Sequence, residues 1–222
     1  MLRSHLLSQQ IAQVLTQELQ LARRRPRRFS AGAVLVAEGE ISTEVLVLTE
    51  GQAHIECFPR RAEGNRLIPS ALSAGMALMV HRAYDQEGLD PGSLVASRDL
   101  ALHAVAVQTF REVMHAKAER LDLVLAFLAA RLHETRLREA QWMERGVASR
   151  VDMALGRMVL EQRSRAQHSE RHLSVSHAYL ADRCGVTRAH VSRELKRLEQ
   201  AGLIRKGRNR IEVLGLDALL SP

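Results

Sequence analysis

The residues best suited to a chemical task lie on one face of a predicted helix that begins after Thr187. Side chains recur there at positions i, i+1, i+4, i+5 and i+8, and none of them is acidic. An arginine near the start of such a helix can bond guanine O6 and N7 together, and basic residues farther along can meet phosphates. The pattern therefore predicts contact with duplex DNA through Arg188, Ala189, Ser192, Arg193 and Lys196.

A second basic segment follows this helix. Apolar residues at 203–204 and 211–213 flank a Gly-Arg-Asn turn, which is typical of a β-hairpin with a strongly basic tip. Joined to the preceding helices, the hairpin is interpreted as the wing of a winged helix that contacts phosphates. The complete set of predicted DNA contacts is Thr187, Arg188, Ala189, His190, Ser192, Arg193, Lys196, Arg197, Arg205, Lys206, Arg208 and Arg210.

A pair of helices positions the basic face. Ser176 suits the N-cap of a short first helix, Gly185 tolerates the positive φ of a tight turn, and Thr187 can cap the second helix. An apolar stripe on the opposite side of the second helix holds the basic face outward, which is the arrangement of a helix-turn-helix. The stripe consists of Val191, Leu195 and Leu198.

The sequence contains no motif for enzymatic, metal or cofactor chemistry. There is no P-loop, nucleophile–base arrangement or metal motif, so we expect no enzymatic activity, no metal and no cofactor. The two cysteines, Cys57 and Cys184, form neither a CxxC pair nor a disulfide framework, and they are predicted to be small buried hydrophobes. The scattered histidines show no ligand spacing and are interpreted as packing or surface residues. They are His54, His81, His103, His115 and His133.

The length and composition of the chain restrict the classes of protein to which it can belong. A chain of 222 residues suits two modest domains, and 46% hydrophobic residues is typical of a folded globular protein. The net charge of +7 favours a polyanionic partner, whereas an aromatic content of 3% argues against stacking platforms for single-stranded nucleic acid. No apolar run has the length of a membrane span, and no secretory signal is visible. We therefore expect a cytoplasmic protein with no membrane partner.

The sequence pattern divides the chain into three parts. After an N-terminal helix over residues 2–22, short apolar runs separated by glycines over 29–107 predict a compact β-sandwich or β-roll. Helical periodicity returns over 108–144, and a second amphipathic helix over 147–165 precedes the helix-turn-helix. We predict an α+β fold with domains at 1–107, 108–144 and 145–222.

The helix predicted over 108–144 has two interpretations. Its apolar residues alternate at spacings of four and three, which is typical of a two-stranded parallel seam between subunits. The alternative is an amphipathic helix that packs on its own β-domain. We favour the seam because the apolar positions stay in register for several turns. The predicted dimer interface consists of Leu121, Leu125, Leu128, Leu132 and Thr135.

Taken in order, these residues resemble the Crp/Fnr family of bacterial transcription regulators over nearly the whole chain. The stretch FSAGAVLVAEGEISTEVLVLTEGQAHI (29–55) is similar to the start of the family's β-roll, and VTRAHVSRELKRLEQAGLI (186–204) is similar to its recognition helix. The resemblance implies a cyclic-nucleotide-binding-like sensor domain with a double-stranded, jelly-roll-like β-roll, then a long dimerisation helix and a winged helix-turn-helix. It also implies that Arg188, Ser192 and Arg193 read bases and that Lys196 contacts the DNA backbone.

The sequence departs from the family pattern in three places. Ala189 stands where many members have a glutamate that accepts a hydrogen bond from cytosine, so the operator half-site should differ. The Gly-Glu and Arg-Ser or Arg-Thr pairs that hold a cyclic nucleotide are missing from 75–80 and 89–94. Because a buried phosphate without an arginine is costly, cyclic AMP is not expected to bind in the usual mode. The cysteine cluster of the iron–sulfur members is also missing.

These observations predict a sequence-specific transcription regulator, an activator, that works as a homodimer on near-palindromic promoter sites. Double-stranded DNA and RNA polymerase are its expected partners, and cyclic AMP is not required. The alternative is an effector-dependent regulator whose β-roll binds another small molecule. A non-specific architectural protein is a further alternative, and a ratio near one between specific and random DNA affinities would distinguish it.

Overall fold

The computed structural model describes residues 2–57, 66–85, 90, 92–144, 146–163, 171–207 and 210–220, without the side chains of 69, 138, 140–144 and 163. The chain forms two compact units. One is built from residues 3–57 and 69–133, and the other mainly from 134–222. Both units combine helices with antiparallel strands, so the predicted α+β fold is confirmed.

The first unit contains a β-roll made of two four-stranded sheets. One sheet has the strand order β1-β8-β3-β6 and the other has the order β2-β7-β4-β5. The strands are β1 (Arg27–Phe29), β2 (Val34–Val36), β3 (Glu44–Glu50), β4 (Gln52–Cys57), β5 (Leu67–Ser73), β6 (Ala77–Leu78), β7 (Ser93–Ala96) and β8 (Leu100–Ala106). Among the short apolar runs predicted over 29–107, those at 33–36, 45–48 and 53–57 correspond to β2, β3 and β4.

Strand β3 has apolar side chains on both of its faces, which explains its continuous run of Val and Leu. Leu46 and Leu48 belong to the core inside the roll, whereas Val45 and Val47 belong to a second core that the helices cover. After β3 the chain turns at Gly51, where φ is +80°. A Cβ atom at this position would collide with the Asp99 carbonyl oxygen, so the turn requires glycine.

Three helices accompany the roll: α1 (Arg3–Glu18), α2 (Val107–His115) and α3 (Ala118–Glu144), whose residues up to 133 belong to this unit. The single helix predicted over 108–144 is therefore divided. At the division, the Lys117 carbonyl oxygen accepts from the Leu121 N–H of the new helix, and Arg120 Nη1 donates to the Val113 carbonyl oxygen of the old one. These bonds satisfy two of the backbone carbonyl groups at the division, which contains neither glycine nor proline.

The second unit contains a small helical domain with a three-stranded sheet of order β10-β11-β9. Its remaining elements are α4 (Val147–Arg163), β9 (His172–Leu173), α5 (His177–Cys184), α6 (Arg188–Gln200), β10 (Ile204–Gly207), β11 (Arg210–Val213) and α7 (Leu216–Leu220). Apolar residues from all of these elements form one core, in which Leu155, Leu180 and Leu195 are completely buried. The predicted helix-turn-helix and its hairpin are both present.

Candidate nucleic-acid interface

Two side-chain caps and one glycine set the geometry of α5 and α6. The Ser176 hydroxyl oxygen accepts a hydrogen bond from the Tyr179 N–H at 3.1 Å. The Thr187 hydroxyl oxygen accepts one from the His190 N–H at 3.3 Å. Between the helices, Gly185 has a φ of +63°, the left-handed conformation that commonly ends a helix. Both helices therefore begin and turn at the predicted residues.

The buried stripe of α6 decides which face of the helix meets solvent. Val191, Leu195 and Leu198 are completely buried in the core of the domain. Because this stripe faces inward, the opposite face of α6 is exposed. The predicted contacts Thr187, Arg188, Ala189, Ser192, Arg193 and Lys196 are all exposed, and His190 is half-buried. The structure thus brings these residues together on one surface.

The basic residues of α6 differ in how much charge they present. Within the described residues, Arg188, Arg193 and Lys196 form no ion pair. Arg197, which we predicted as a phosphate contact, instead lies 2.7 Å from a carboxylate oxygen of Asp152 and 2.7 Å from one of Glu194. Its charge is therefore neutralised inside the domain, whereas the charge of the other three is not.

The hairpin formed by β10 and β11 carries the second basic group. Arg205 pairs with Glu212 at 2.9 Å across the hairpin, and Lys206 pairs with Glu199 at 2.7 Å. The hydrogen bond from Lys206 lowers the pKa of Glu199, so this carboxylate stays charged. Arg210 is exposed, and the predicted contact Arg208 lies outside the described residues. Two of the predicted wing contacts thus have acidic partners already.

One polar residue beside the interface had no signal in the sequence. His177, the first residue of α5, has its Nδ1 atom 2.9 Å from the Ser192 hydroxyl oxygen. The two residues are separated by 15 positions and lie on different helices, so no periodicity relates them. The contact links the start of α5 to the exposed face of α6.

A buried ion pair fixes α5 against α4. Arg183 Nη2 lies 2.7 Å from a carboxylate oxygen of Glu161, and both side chains are buried. Burial by itself lowers the pKa of Arg183, but the charge of Glu161, the hydrogen bond to it and the nearby Tyr179 and Cys184 together outweigh burial and raise the pKa. Arg183 therefore stays protonated and holds the two helices together.

The β-roll unit has a separate cavity of about 230 Å³, lined mainly by apolar side chains. Residues 76–80, where the family resemblance requires a Gly-Glu pair, are buried, apolar and part of this lining. The polar lining residues are Ser4, His5, Ser8, His81 and Arg131. Burial lowers the pKa of His81, so this imidazole is neutral near pH 7.

Arg82 follows this lining but is already paired. Its side chain is 1% exposed, and its Nη2 atom lies 2.7 Å from Asp90 Oδ2. A phosphate would have to compete with Asp90 for this buried guanidinium. Within residues 89–94, where the resemblance requires an Arg-Ser or Arg-Thr pair, positions 89 and 91 lie outside the described residues. Elsewhere in the described part of the chain, no group of three or more acidic, His or Cys side chains is arranged to hold a metal ion.

The predicted dimer-interface residues lie in two environments on α3. Leu125 is 55% exposed and Leu132 is 53% exposed, seven residues apart on one side of the helix. Leu121, Leu128 and Thr135 are half-buried, and Leu128 packs against the core of its own unit. The contacts of Leu128 support packing of this helix on its own β-domain, and the seam through Leu125 and Leu132 stays a prediction. No helix in the described ranges is both long enough and apolar enough to cross a membrane.

The second unit, with its capped helix pair, outward basic helix and basic hairpin, defines a winged helix-turn-helix DNA-binding protein. Residues 149–221 match the Crp-like helix-turn-helix domain family. No curated protein sequence matches the chain.

The similar solved structures are those of Crp/Fnr regulators. CLP of Xanthomonas campestris, named as a c-di-GMP-responsive global regulator, is 18% identical with a TM-score of 0.72, covering 90% of this chain and 98% of its own. FixK2 of Bradyrhizobium japonicum is 17% identical with a TM-score of 0.68, covering 88% and 96%. TTHA1359 of Thermus thermophilus is 22% identical with a TM-score of 0.65, covering 88% and 96%.

Residues 149–221 are thus a Crp-like helix-turn-helix domain, and the chain has the fold of solved Crp/Fnr regulators. The resemblance stated from the sequence is confirmed by the helix-turn-helix domain and by the fold of the whole chain. CLP and TTHA1359 are both named as regulators, not as enzymes.

Proposed function

We propose that this regulator binds near-palindromic promoter sites as a homodimer and activates transcription with RNA polymerase, without cyclic AMP. The observation that carries the proposal is the exposed face of α6, on which Arg188, Arg193 and Lys196 form no ion pair within the described residues. Unpaired exposed charge is available to DNA. A helix that carries these charges and packs on a buried core can enter the major groove in one orientation.

In this proposal the residues of the interface have three roles. Arg188, Ser192 and Arg193 contact base edges. The methyl group of Ala189 contacts thymine, at a position where a glutamate would accept a hydrogen bond from cytosine. Thr187, His190, Lys196 and Arg210 contact the DNA backbone. Arg205 and Lys206 contribute less, since each must first give up an acidic partner. Arg197 does not contact DNA in this proposal, and it stabilises the folded domain through its ion pairs with Asp152 and Glu194.

The proposed dimer uses the exposed leucines of α3. Burying Leu125 and Leu132 against a second copy removes apolar surface from water, and their seven-residue spacing repeats the seam of a parallel two-stranded coil. Two-fold symmetry then presents two α6 helices about 34 Å apart, one helical turn of DNA. The operator is correspondingly expected to have two inverted half-sites.

Selection of bound sequences from a random DNA pool tests this function. The full chain should enrich two inverted half-sites centred about 10 base pairs apart. A variant with Arg188, Arg193 and Lys196 all changed to alanine should enrich nothing above its input. A wild-type chain that enriches no sequence while binding all DNA equally would instead be an architectural protein, and the proposal would fail.

The apolar cavity favours a second candidate, an effector-dependent regulator. The cavity of about 230 Å³ is lined mainly by apolar side chains, which suits a small and largely apolar ligand. Operator affinity should then rise when the low-molecular-weight fraction of a cell extract is added to purified protein. If the ligand-free protein already binds its operator tightly and activates transcription, the roll is a structural platform.

A further inference from the structure

We infer that His177 is a positioning residue for base recognition, which fixes the direction of the Ser192 hydroxyl and so helps to choose a base from a neighbouring helix. This inference rests on the proposed function, because it requires that α6 reads DNA. His177 itself need not touch a base. Its effect is transmitted through one hydrogen bond to a side chain that does.

The geometry of the pair is set by the fold on both sides. The Nδ1 atom of His177 lies 2.9 Å from the Ser192 hydroxyl oxygen, a normal hydrogen-bond distance. His177 follows the Ser176 cap directly, so the start of α5 is fixed. Ser192 follows the completely buried Val191, so the rotation of α6 is fixed as well. The bond therefore joins two anchored backbone positions.

The position of Ser192 explains why its orientation matters. It is exposed on α6 four residues after Arg188 and four residues before Lys196, beside Arg193. A side chain at the centre of this face approaches the base edges when the helix enters the major groove. Its short hydroxyl can reach a base only when it points outward.

A serine hydroxyl has one hydrogen and two acceptor lone pairs, so a freely rotating serine can bond either donors or acceptors on bases. A bond to His177 restricts this choice. If Nδ1 accepts the Ser192 proton, the oxygen lone pairs face the DNA and favour the amino groups of adenine or cytosine. If Nδ1 carries a proton and donates it, one lone pair is occupied, and the Ser192 hydrogen and the other lone pair are held in fixed directions. In either tautomer the bond fixes the direction in which the hydroxyl meets a base edge.

The experiment measures base preference in the full-length protein, using binding-site selection and competition against random DNA. The variants are His177→Ala, His177→Asn, Ser192→Ala and the double variant His177→Ala with Ser192→Ala. Asparagine serves as the conservative variant, because its amide atoms are bonded to Cγ in the way that Nδ1 is and can make the same hydrogen bond. Thermal unfolding of each variant checks that the domain remains folded.

We expect His177→Ala to reduce the preference at one base pair of each half-site by about fivefold, the effect of one modest hydrogen bond. Ser192→Ala should lose the preference at the same base pair. The double variant should lose no more than Ser192→Ala alone, since His177 acts through Ser192. His177→Asn should restore at least half of the wild-type preference, and affinity for random DNA should fall less than about twofold in all four variants.

Two outcomes would overturn the inference. In one, His177→Ala weakens specific and random DNA equally, which would make His177 a phosphate contact. In the other, a folded His177→Ala variant keeps the wild-type preference at the base pair that Ser192→Ala changes. Both differ from a failure of the proposed function, in which the wild-type protein itself selects no sequence.

Discussion

Arg197 of α6 donates hydrogen bonds from its Nη2 atom to both carboxylate oxygens of Asp152 in α4, each at 2.7 Å. Its Nε atom donates to Glu194 at 2.7 Å, so three acidic oxygens surround one guanidinium. A basic residue on the DNA-binding helix thus joins that helix to the rest of its domain. Its contribution is expected in stability rather than in DNA affinity.

Arg197→Ala should lower the free energy of unfolding by about 1 kcal/mol, because the pair is partly exposed. Burial already raises the pKa of Asp152, and Arg197 opposes this rise. Without the guanidinium the pKa rises further, so the folded state favours the protonated acid. The decrease in the free energy of unfolding caused by Arg197→Ala should therefore be largest near neutral pH and become smaller as the pH falls towards about 4. Urea unfolding at both pH values measures it, and a pH-independent loss would contradict this explanation.

Arg193→Ala and Lys196→Ala form a matched pair that separates base reading from phosphate contact. Arg193→Ala should cost about 1–3 kcal/mol on the selected operator and relax preference at one base pair. Lys196→Ala should weaken specific and random DNA alike and reduce the slope of log K against log salt by about one. Fluorescence anisotropy over a salt series distinguishes the two effects. Equal losses on both DNAs for Arg193→Ala would assign that residue to phosphate contact.

Leu132→Glu should dissociate the dimer, whereas Leu137→Glu should not. Both leucines are exposed on α3, at 53% and 45%, but Leu137 lies outside the predicted seam and is a matched control. The two copies of Leu132, one from each subunit, contribute about 3–6 kcal/mol to the free energy of dimerisation when buried. The dissociation constant of the dimer should therefore rise at least about 100-fold for Leu132→Glu. Analytical ultracentrifugation measures this constant. A similar rise for Leu137→Glu would place the interface on a different side of the helix.

Cyclic AMP at about 2 mM should shift the melting temperature by less than about 1 °C, because a ligand that does not bind the native state cannot stabilise it. The physical reason is that Arg82 is paired with Asp90 and the lining at 76–80 is apolar. A shift that saturates with cyclic AMP would show that the cavity accommodates the phosphate after all.

Cys184 should resist thiol reagents in the native protein, because burial raises the pKa of its thiol to about 12. The thiolate is the reactive form, and almost none of it exists near pH 8. Modification should be at least about 100-fold slower than in guanidinium chloride, where the core is lost. Cys57, which is half-buried, is the internal reference. Rapid native modification of Cys184 would mean that the helix-turn-helix core opens readily.

Local chemistry accounts for the features that the sequence predicted well. Ser176, Gly185 and Thr187 act on residues within four positions, so their roles follow from residue type alone. The hairpin was also predictable, because its two apolar segments, at 203–204 and 211–213, flank a short Gly-Arg-Asn turn. The seam on α3 stays a prediction, since the second copy that would cover Leu125 and Leu132 is not part of a single chain.

Contacts between distant residues account for what the sequence did not predict. The division between α2 and α3 occurs at Ala116 and Lys117, which are not helix-breaking residues. The pairing of Arg197 with Asp152 spans 45 residues, and no periodicity links a residue on α4 to one on α6. A count of basic residues on a helix therefore overestimates the charge that the helix presents, because tertiary contacts decide which charges remain unpaired.

The division before α3 has a consequence for how subunits align. Arg120, in the first turn of α3, donates to the Val113 carbonyl oxygen of α2 and to the Glu18 carboxylate at the end of α1. These two hydrogen bonds of Arg120 therefore fix the direction in which Leu125 and Leu132 face around the axis of α3. Losing either bond would let α3 rotate with both leucines, and would change the angle between the two subunits of the proposed dimer without any substitution at the interface itself.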